Sequence, residues 1–233
     1  MTISIIPVEG IPEAEPGDDV ARMLIGGLAA SGLEPADGDV LVVTHKLVSK
    51  AEGRIEEIGD DPEARLRLIE REASAVLRRR EELVITETHH GFVCANAGVD
   101  KSNVRRGSAV LLPIDPDKSA RRIRARLHQA FGVTIGVIIT DTFGRAWRHG
   151  LTDVAIGVAG IPAVVDYRGT ADTYGNTLEV TEVALADELA AAADLVMGKA
   201  KGIPAALIRG AEIPPGEGSS ADLIRSPAQD MFR

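Results

Sequence analysis

The chain is short of several residue types, and each shortage excludes a class of function. Cysteine occurs once, at Cys94, so an internal disulfide framework is ruled out and a reducing cytoplasm is the expected setting. There is no C-x-x-C pair and no H-E-x-x-H helix, the common supports for zinc. Nor is there a G-x-x-x-x-G-K-S/T phosphate loop or a G-x-G-x-x-G run following a strand, so any phosphate site must be built another way. No apolar run approaches the roughly 18 residues that span a bilayer. Met1 to Gly10 lacks the basic start and long apolar stretch of a secretory signal. Basic residues are outnumbered, 26 Lys and Arg against 35 Asp and Glu, and the formal net charge of -9 argues against general nucleic-acid or anionic-membrane partners. Aromatics make up only 3%, and neither a tandem repeat nor a low-complexity tract is present.

What remains is an ordinary globular composition, 45% hydrophobic over 233 residues, enough for one large domain or two small ones. Val20, Met23, Leu24 and Leu28 follow helical spacing, which predicts a helix over Asp18–Ser31, capped by Asp18 and stopped by Gly32. Val40–Val43 reads as a buried strand. A second helix is expected over Pro62–Arg80, with Asp61 as cap and Pro62 at the first helical position. Leu83–Thr86, Phe92–Ala95 and Val110–Leu112 read as short strands, and a helix is expected from near Asp117 to Phe131, ended by Gly132. Val133–Thr140 is continuously apolar and therefore expected to be buried on both faces. Leu178–Met197 is alanine-rich and predicts a long helix closed by Gly198; Ala205–Ile208 gives a last strand. The interleaving predicts an α/β fold, or α+β, with a mixed sheet and flanking helices. Residues 1–213 are expected to form the working domain and 214–233, rich in Gly, Ser and Pro, an irregular tail or linker.

Three polar islands, each following an apolar strand, are the candidate site. Asn96 to Asn103 is rich in small residues, and Asp100 and Asn103 offer hard oxygen ligands suited to Mg²⁺ or Mn²⁺; an Asx turn would use the same residues. Asp141-Thr142-Phe143-Gly144-Arg145 directly follows Ile138–Thr140. There Asp141 could bind a cation, Thr142 could add its hydroxyl and Arg145 could neutralise developing charge, while the bland reading is a helix cap beside a surface arginine. Thr44 to Lys50 could open a helix toward an anion, with Lys50 as a point charge, or be a solvated helix start. Elsewhere His89 and His90 would point to opposite faces of a strand and suit structural roles, with His90 a guess for a general base. Arg121, Arg122, Arg124 and Arg126 read as a solvated basic face or an anion contact. Cys94 reads as core, and Trp147, the single tryptophan, as a packing residue.

The same islands carry a family resemblance. Val48 to Gly53, Gly91 to Asp100 with Ser102-Asn103, Asp141 to Arg145, and the block from Val154 to Ala190 with Tyr174-Gly175-Asn176-Thr177 resemble the coenzyme F420-0:L-glutamate ligase (γ-glutamyl ligase) family, including the ligase half of its fused members. The likeness runs from about Ile6 to Arg209, and Ser226 to Arg233 resembles the start of the linker in fused members. It implies an unusual α/β fold, an intertwined homodimer, and an enzyme using GTP and two divalent cations, Mn²⁺ or Mg²⁺, with K⁺ as a helper. By position it implies that Asp100, Asp141 and Thr142 hold metal. Gly10, Ile11, Pro12 and Glu13, with Thr44, His45, Lys50 and Asn103, would hold GTP. The stretch Met197, Gly198, Lys199, Ala200, Lys201, Gly202 and Ile203 would line it, and Lys50 and Arg145 would serve catalysis. Two departures stand out: His45, where members carry Ser or Gln, and Lys199, where some use a metal-binding Gln. The implied reaction is GTP-driven addition of L-glutamate, and further γ-linked glutamates, to coenzyme F420-0 through an acyl phosphate. A metal-dependent phosphohydrolase and a non-catalytic binding module are the rivals.

Overall fold

The computed structural model describes residues 2–231; Met1, Phe232 and Arg233 lie outside the described residues, and with the last two the end of the linker-like run. The chain opens with β1 (Ser4–Val8), α1 (Val20–Ala30), β2 (Val40–Thr44) and α2 (His45–Ala51). Next come β3 (Ile55–Glu57), α3 (Pro62–Glu72), β4 (Ala73–Arg80), β5 (Leu83–Thr88), β6 (Val93–Ala95) and β7 (Ser108–Val110). The second half holds α4 (Pro116–Phe131), β8 (Gly136–Arg145), β9 (Arg148–Ala159), β10 (Val165–Asp166), β11 (Glu182–Val183), α5 (Leu185–Met197) and β12 (Ala205–Arg209).

The principal sheet has the order β1-β12-β2-β8-β9, with β2 and β8 parallel and every other neighbour antiparallel. The mixed α/β fold expected from the interleaved pattern is thus the observed one. Alternation along β2 explains why its run is apolar throughout. Leu41 and Val43 face a core shared with Leu24 and Leu28 of α1 and Ile123 and Leu127 of α4. Val40 and Val42 face a second core built with Ala186, Leu189, Ala190 and Ala193 of α5. Each of the fully buried leucines contributes about 1.5–3 kcal/mol through burial. A smaller core under α3, with Leu68, Ile69, Val84 and Leu111, supports the β4-β5-β6 sheet.

Several expectations are corrected. Asp19, not Asp18, caps α1 by accepting from the Arg22 N–H at 3.1 Å, while Asp18 accepts from Glu15 N–H. The helix expected over Pro62–Arg80 stops at Glu72; residues 73–80 form β4 instead, because cross-strand pairing with β5 through a left-handed Glu81 (φ 54°) outweighs their helical propensity. The helix expected from Leu178 begins only at Leu185, since the Tyr167 N–H donates to Thr181 O and Leu178 N–H donates to Thr170 O in a β-ribbon. The helix expected from Asp117 starts at Pro116 with Asp115 as its cap, and Gly132 ends it at φ 73° as expected. The expected Val110–Leu112 strand is shifted to Ser108–Val110. β8 begins at Gly136 and runs on through Asp141 to Arg145, so that island is neither a loop nor a helix cap but the outer half of a long hairpin with β9, a strand the apolar pattern did not single out. Trp147 does not pack inside; it sits at the hairpin tip, 81% exposed, at φ 57°. β1 was also missed. The tail after Pro214 is irregular apart from a short 3₁₀ turn at Ser220–Leu223, where Asp117 of α4 accepts from the Ser220 N–H and hydroxyl.

Candidate functional site

Four strands of the principal sheet deliver polar residues to one edge. The register that aligns Thr44 with Thr140 ends β2 beside the point where β8 continues into Asp141 and Thr142. A ligand crevice is expected at such an edge. β1 leaves at the same edge, because Val8 pairs with Ala205, and its continuation supplies Ile11, Pro12 and Glu13. The segment between α5 and β12 arrives there too, tied by the Thr44 N–H donating to Pro204 O at 2.8 Å. Between them lies a cavity of about 330 Å³.

The cavity gathers most of the residues expected to act together. Ile11, Pro12, Glu13, Thr44, Lys50 and Asn103 line it, as do Asp141 and Thr142; Met197, Gly198, Lys199, Gly202 and Ile203 close the far side. Lys50, which reads in isolation as a solvated helix residue, is buried; its ammonium binds the Glu13 carboxylate and donates to Asn103 O at 2.8 Å. Such pairing offsets the cost of burying a polar head group.

Other expected residues lie apart from the cavity surface. His45 is buried beneath it: Nδ1 meets Ser49 Oγ at 3.2 Å, and Nε2 lies 3.2 Å from Asp141 Oδ1 without hydrogen-bond alignment. It therefore braces the α2 start and sits behind the Asp141 carboxylate. Asp100 stands one step back, held by the Lys46 ammonium at 2.6 Å and by the Ser102 hydroxyl and N–H at 2.7 Å, while Lys46 itself lines the cavity. Burial raises the Asp100 pKa, but the bonds from Lys46 and Ser102 more than offset this, and the carboxyl ends below its ordinary range. Arg145 is exposed on the hairpin and donates to His149 O at 2.9 Å. Gly10, Ala200 and Lys201 are exposed neighbours of lining residues, and Lys201 donates to Val196 O. The two histidines of the His89-His90 pair serve structure: His89 Nε2 meets Arg71 O at 3.0 Å, and His90 Nε2 meets Pro113 O at 2.9 Å while its ring stacks on Phe92. Cys94 is core, and burial together with the nearby Asp141 charge pushes its thiol up to about 12.

Sequence reasoning passed over two acids that the fold makes central. Asp153, across from Thr142 in the β8–β9 register, is buried, accepts from the Thr142 hydroxyl at 2.6 Å and from Thr140 at 3.2 Å. Asp194, on the last turn of α5, also faces the cavity. The signal available was one carboxylate standing alone in an apolar strand and another in an alanine-rich helix, neither of which a core position tolerates without a partner. Lys199 reaches both: its ammonium hydrogen-bonds Thr142 Oγ1, lies 3.0 Å from Asp153 Oδ1 and 3.5 Å from Asp194 Oδ1. Burial lowers the Lys199 pKa, but the two aspartates outweigh it and hold the ammonium above its usual value.

Asp141, Thr142 and Asp100 are hard oxygen donors of the kind that binds Mg²⁺ or Mn²⁺. Among the described residues, no group of three or more His, Cys, Asp and Glu side chains stands close enough to hold an ion alone. A metal at Asp141 would therefore need oxygens from a bound phosphate, the way Mg²⁺ is commonly held beside nucleotides. Beside Asp141, the Thr142, Asp153 and Asp194 oxygens are all contacted by the Lys199 ammonium. Among the described residues, no helix is long and apolar enough to cross a membrane.

A family model described as F420-0:Gamma-glutamyl ligase matches residues 10–210. The coenzyme F420:L-glutamate ligase of Methanothermobacter thermautotrophicus is 46% identical, with 100% of each chain covered. The protein of the same name from Methanopyrus kandleri is 44% identical over 100% of this chain and 98% of its own, and that from Archaeoglobus fulgidus is 42% identical over 100% and 97%.

Proposed function

This chain belongs to the F420-0:γ-glutamyl ligase family, and from that premise we propose that it is a GTP-dependent ligase joining L-glutamate to coenzyme F420-0, with further glutamates added through γ-linkage. The observation that carries the nucleotide part is the single cavity in which buried, paired Lys50 faces Asp141, Thr142 and the 197–203 segment.

A carboxylate does not condense with an amine in neutral water, because hydroxide or oxide is too poor a leaving group. The terminal carboxylate of F420-0 attacks the γ-phosphorus of GTP, forming the acyl–phosphate bond and releasing GDP. The glutamate amine then attacks the acyl carbon, inorganic phosphate leaves, and the amine loses a proton to solvent. Asp141 would hold a divalent ion, Mn²⁺ or Mg²⁺, which when bound would neutralise charge on the phosphates. Lys50 holds a fixed positive charge at the cavity floor, locked by Glu13 and Asn103 O, where it can receive a phosphate without rearranging. Thr142 presents its hydroxyl beside Asp141, fixed by Asp153. Asn103 Nδ2 donates to Lys199 O at 3.2 Å, closing the 197–203 segment over the cavity. Positioning of this kind supplies most of the rate in phosphoryl transfer. The working form is read as a homodimer, to which exposed Trp147, Leu151 and Leu195 offer apolar surface.

The test is mass spectrometry of F420-0 incubated with the protein, GTP, L-glutamate and Mn²⁺. A product heavier by glutamyl units, dependent on GTP and lost in Asp141→Asn, is expected. GTP turnover with F420-0 unmodified would replace this reading by the phosphohydrolase.

A further inference from the structure

Lys199 is placed by the backbone rather than by chance of side-chain reach. Gly198 ends α5 at φ 60° and ψ 174°, an extended positive-φ conformation that glycine alone adopts freely, and its N–H donates to Asp194 O at 2.9 Å. The turn sends Lys199 back across the cavity mouth, and Asn103 Nδ2 fastens its carbonyl. An ammonium has three N–H donors. Here they have three oxygen partners drawn from three separate elements: Thr142 of β8, Asp153 of β9 and Asp194 of α5. Asp153 is almost wholly buried, so its charge has to be met from within the protein.

We propose that Lys199 is a tethered cation whose ammonium fills the Thr142–Asp153–Asp194 oxygen cluster, so that each cavity takes one divalent ion with its nucleotide rather than two. The proposal rests on the nucleotide-and-metal reading of this cavity given above. Two carboxylates and a hydroxyl gathered beside Asp141 are ligands that a divalent ion would otherwise claim. A metal entering that cluster would have to expel the ammonium into solvent and break its three contacts. A covalently attached cation has no such entry cost and does not dissociate. The site then depends on free divalent metal through the single ion at Asp141.

The experiment counts bound Mn²⁺ by the loss of free-ion paramagnetic resonance signal, with the protein saturated by the non-hydrolysable imido analogue of GTP. Lys199→Gln supplies an oxygen where the ammonium was; Lys199→Met removes the charge and supplies none. Both variants, checked for native circular dichroism, are expected to bind one more Mn²⁺ per chain than wild type, the glutamine variant more tightly. Equal, non-zero counts in all three proteins overturn the proposal while leaving the metal reading intact. No Mn²⁺ bound by any of them overturns both. Should the variants not fold, wild type answers by itself through acetic anhydride labelling of Lys199, followed by peptide mass spectrometry. Labelling unchanged or slowed by Mn²⁺ is expected, whereas labelling accelerated by Mn²⁺ means the metal displaces the ammonium and overturns the proposal.

Discussion

Asp153 is the residue on which the site most depends structurally, and two substitutions separate what its shape does from what its charge does. In the native protein Oδ1 accepts from Thr142 at 2.6 Å and from Lys199 at 3.0 Å, while Oδ2 accepts from Thr140 at 3.2 Å. Asn in its place can keep Oδ1 on Thr142. Its new Nδ2 then faces Thr140 Oγ1, which is able to accept because the Thr140 hydroxyl has a second acceptor, Val154 O at 2.9 Å. Every buried polar atom stays paired, and the cost is the charge alone. The Thr142 bond falls from charge-assisted to neutral, a loss of about 1 kcal/mol. The Lys199 pair, with that lysine's side chain 57% exposed, adds only about 0–1 kcal/mol after solvent screening. Asp153→Asn should therefore lose about 1–2 kcal/mol. Asp153→Ala leaves the Thr142 hydroxyl without its acceptor and opens a void, and should lose about 3 kcal/mol or more. Urea unfolding followed by circular dichroism measures both. Equal losses in the two variants would refute the reasoning, as would no loss in either. In glutamylation assays, Asn should lower kcat while leaving KM for GTP little changed, because Thr142 is loosened and Lys50 is not touched.

The other predictions concern the core and titration. A Cβ at Gly157 would stand 2.6 Å from the backbone of Pro116, where β9 meets the start of α4, so Gly157→Ala should cost about 1–3 kcal/mol in the same urea assay. Cys94, with its thiol pushed up to about 12, should resist Ellman's reagent in the native protein at pH 8 and release one thiol per chain on unfolding. The folded Asp100 pKa lies below its ordinary value of 3.8, so its contribution is present above that value and lost as pH falls through the lower, folded pKa. Acid unfolding of wild type should steepen there, and Lys46→Met should flatten that limb; an unchanged limb would remove the Lys46–Asp100 pair from the account.

Much of the architecture was legible because local patterns and tertiary demands agreed. The apolar run Val40–Val43 became a doubly buried strand, and the helix bounded by Asp115-Pro116 and Gly132 carries its start and stop in its own residues. The segments that misled, Ala73–Arg80 and Leu178–Ala184, pair as ribbon strands with segments close in sequence, residues 83–88 and 165–170, and that pairing outweighed the helix expected from composition. The islands around Lys50, Asn103 and Asp141 were each visible as polar residues after apolar runs, and the segment after Gly198 only through the family resemblance. Their convergence was not, because it follows from the register of β2 against β8 and from where β1 and β12 end. The sequence by itself determined which residues carry hard oxygen and fixed positive charge, since those are properties of side chains. Only the tertiary structure decided that His45 would lie behind Asp141, that Asp153 would anchor Thr142, and that Lys199 would lie in a nest of oxygens. Those outcomes depend on partners 96, 11 and 46 residues apart and on a positive-φ glycine at Gly198, distances that no local pattern encodes.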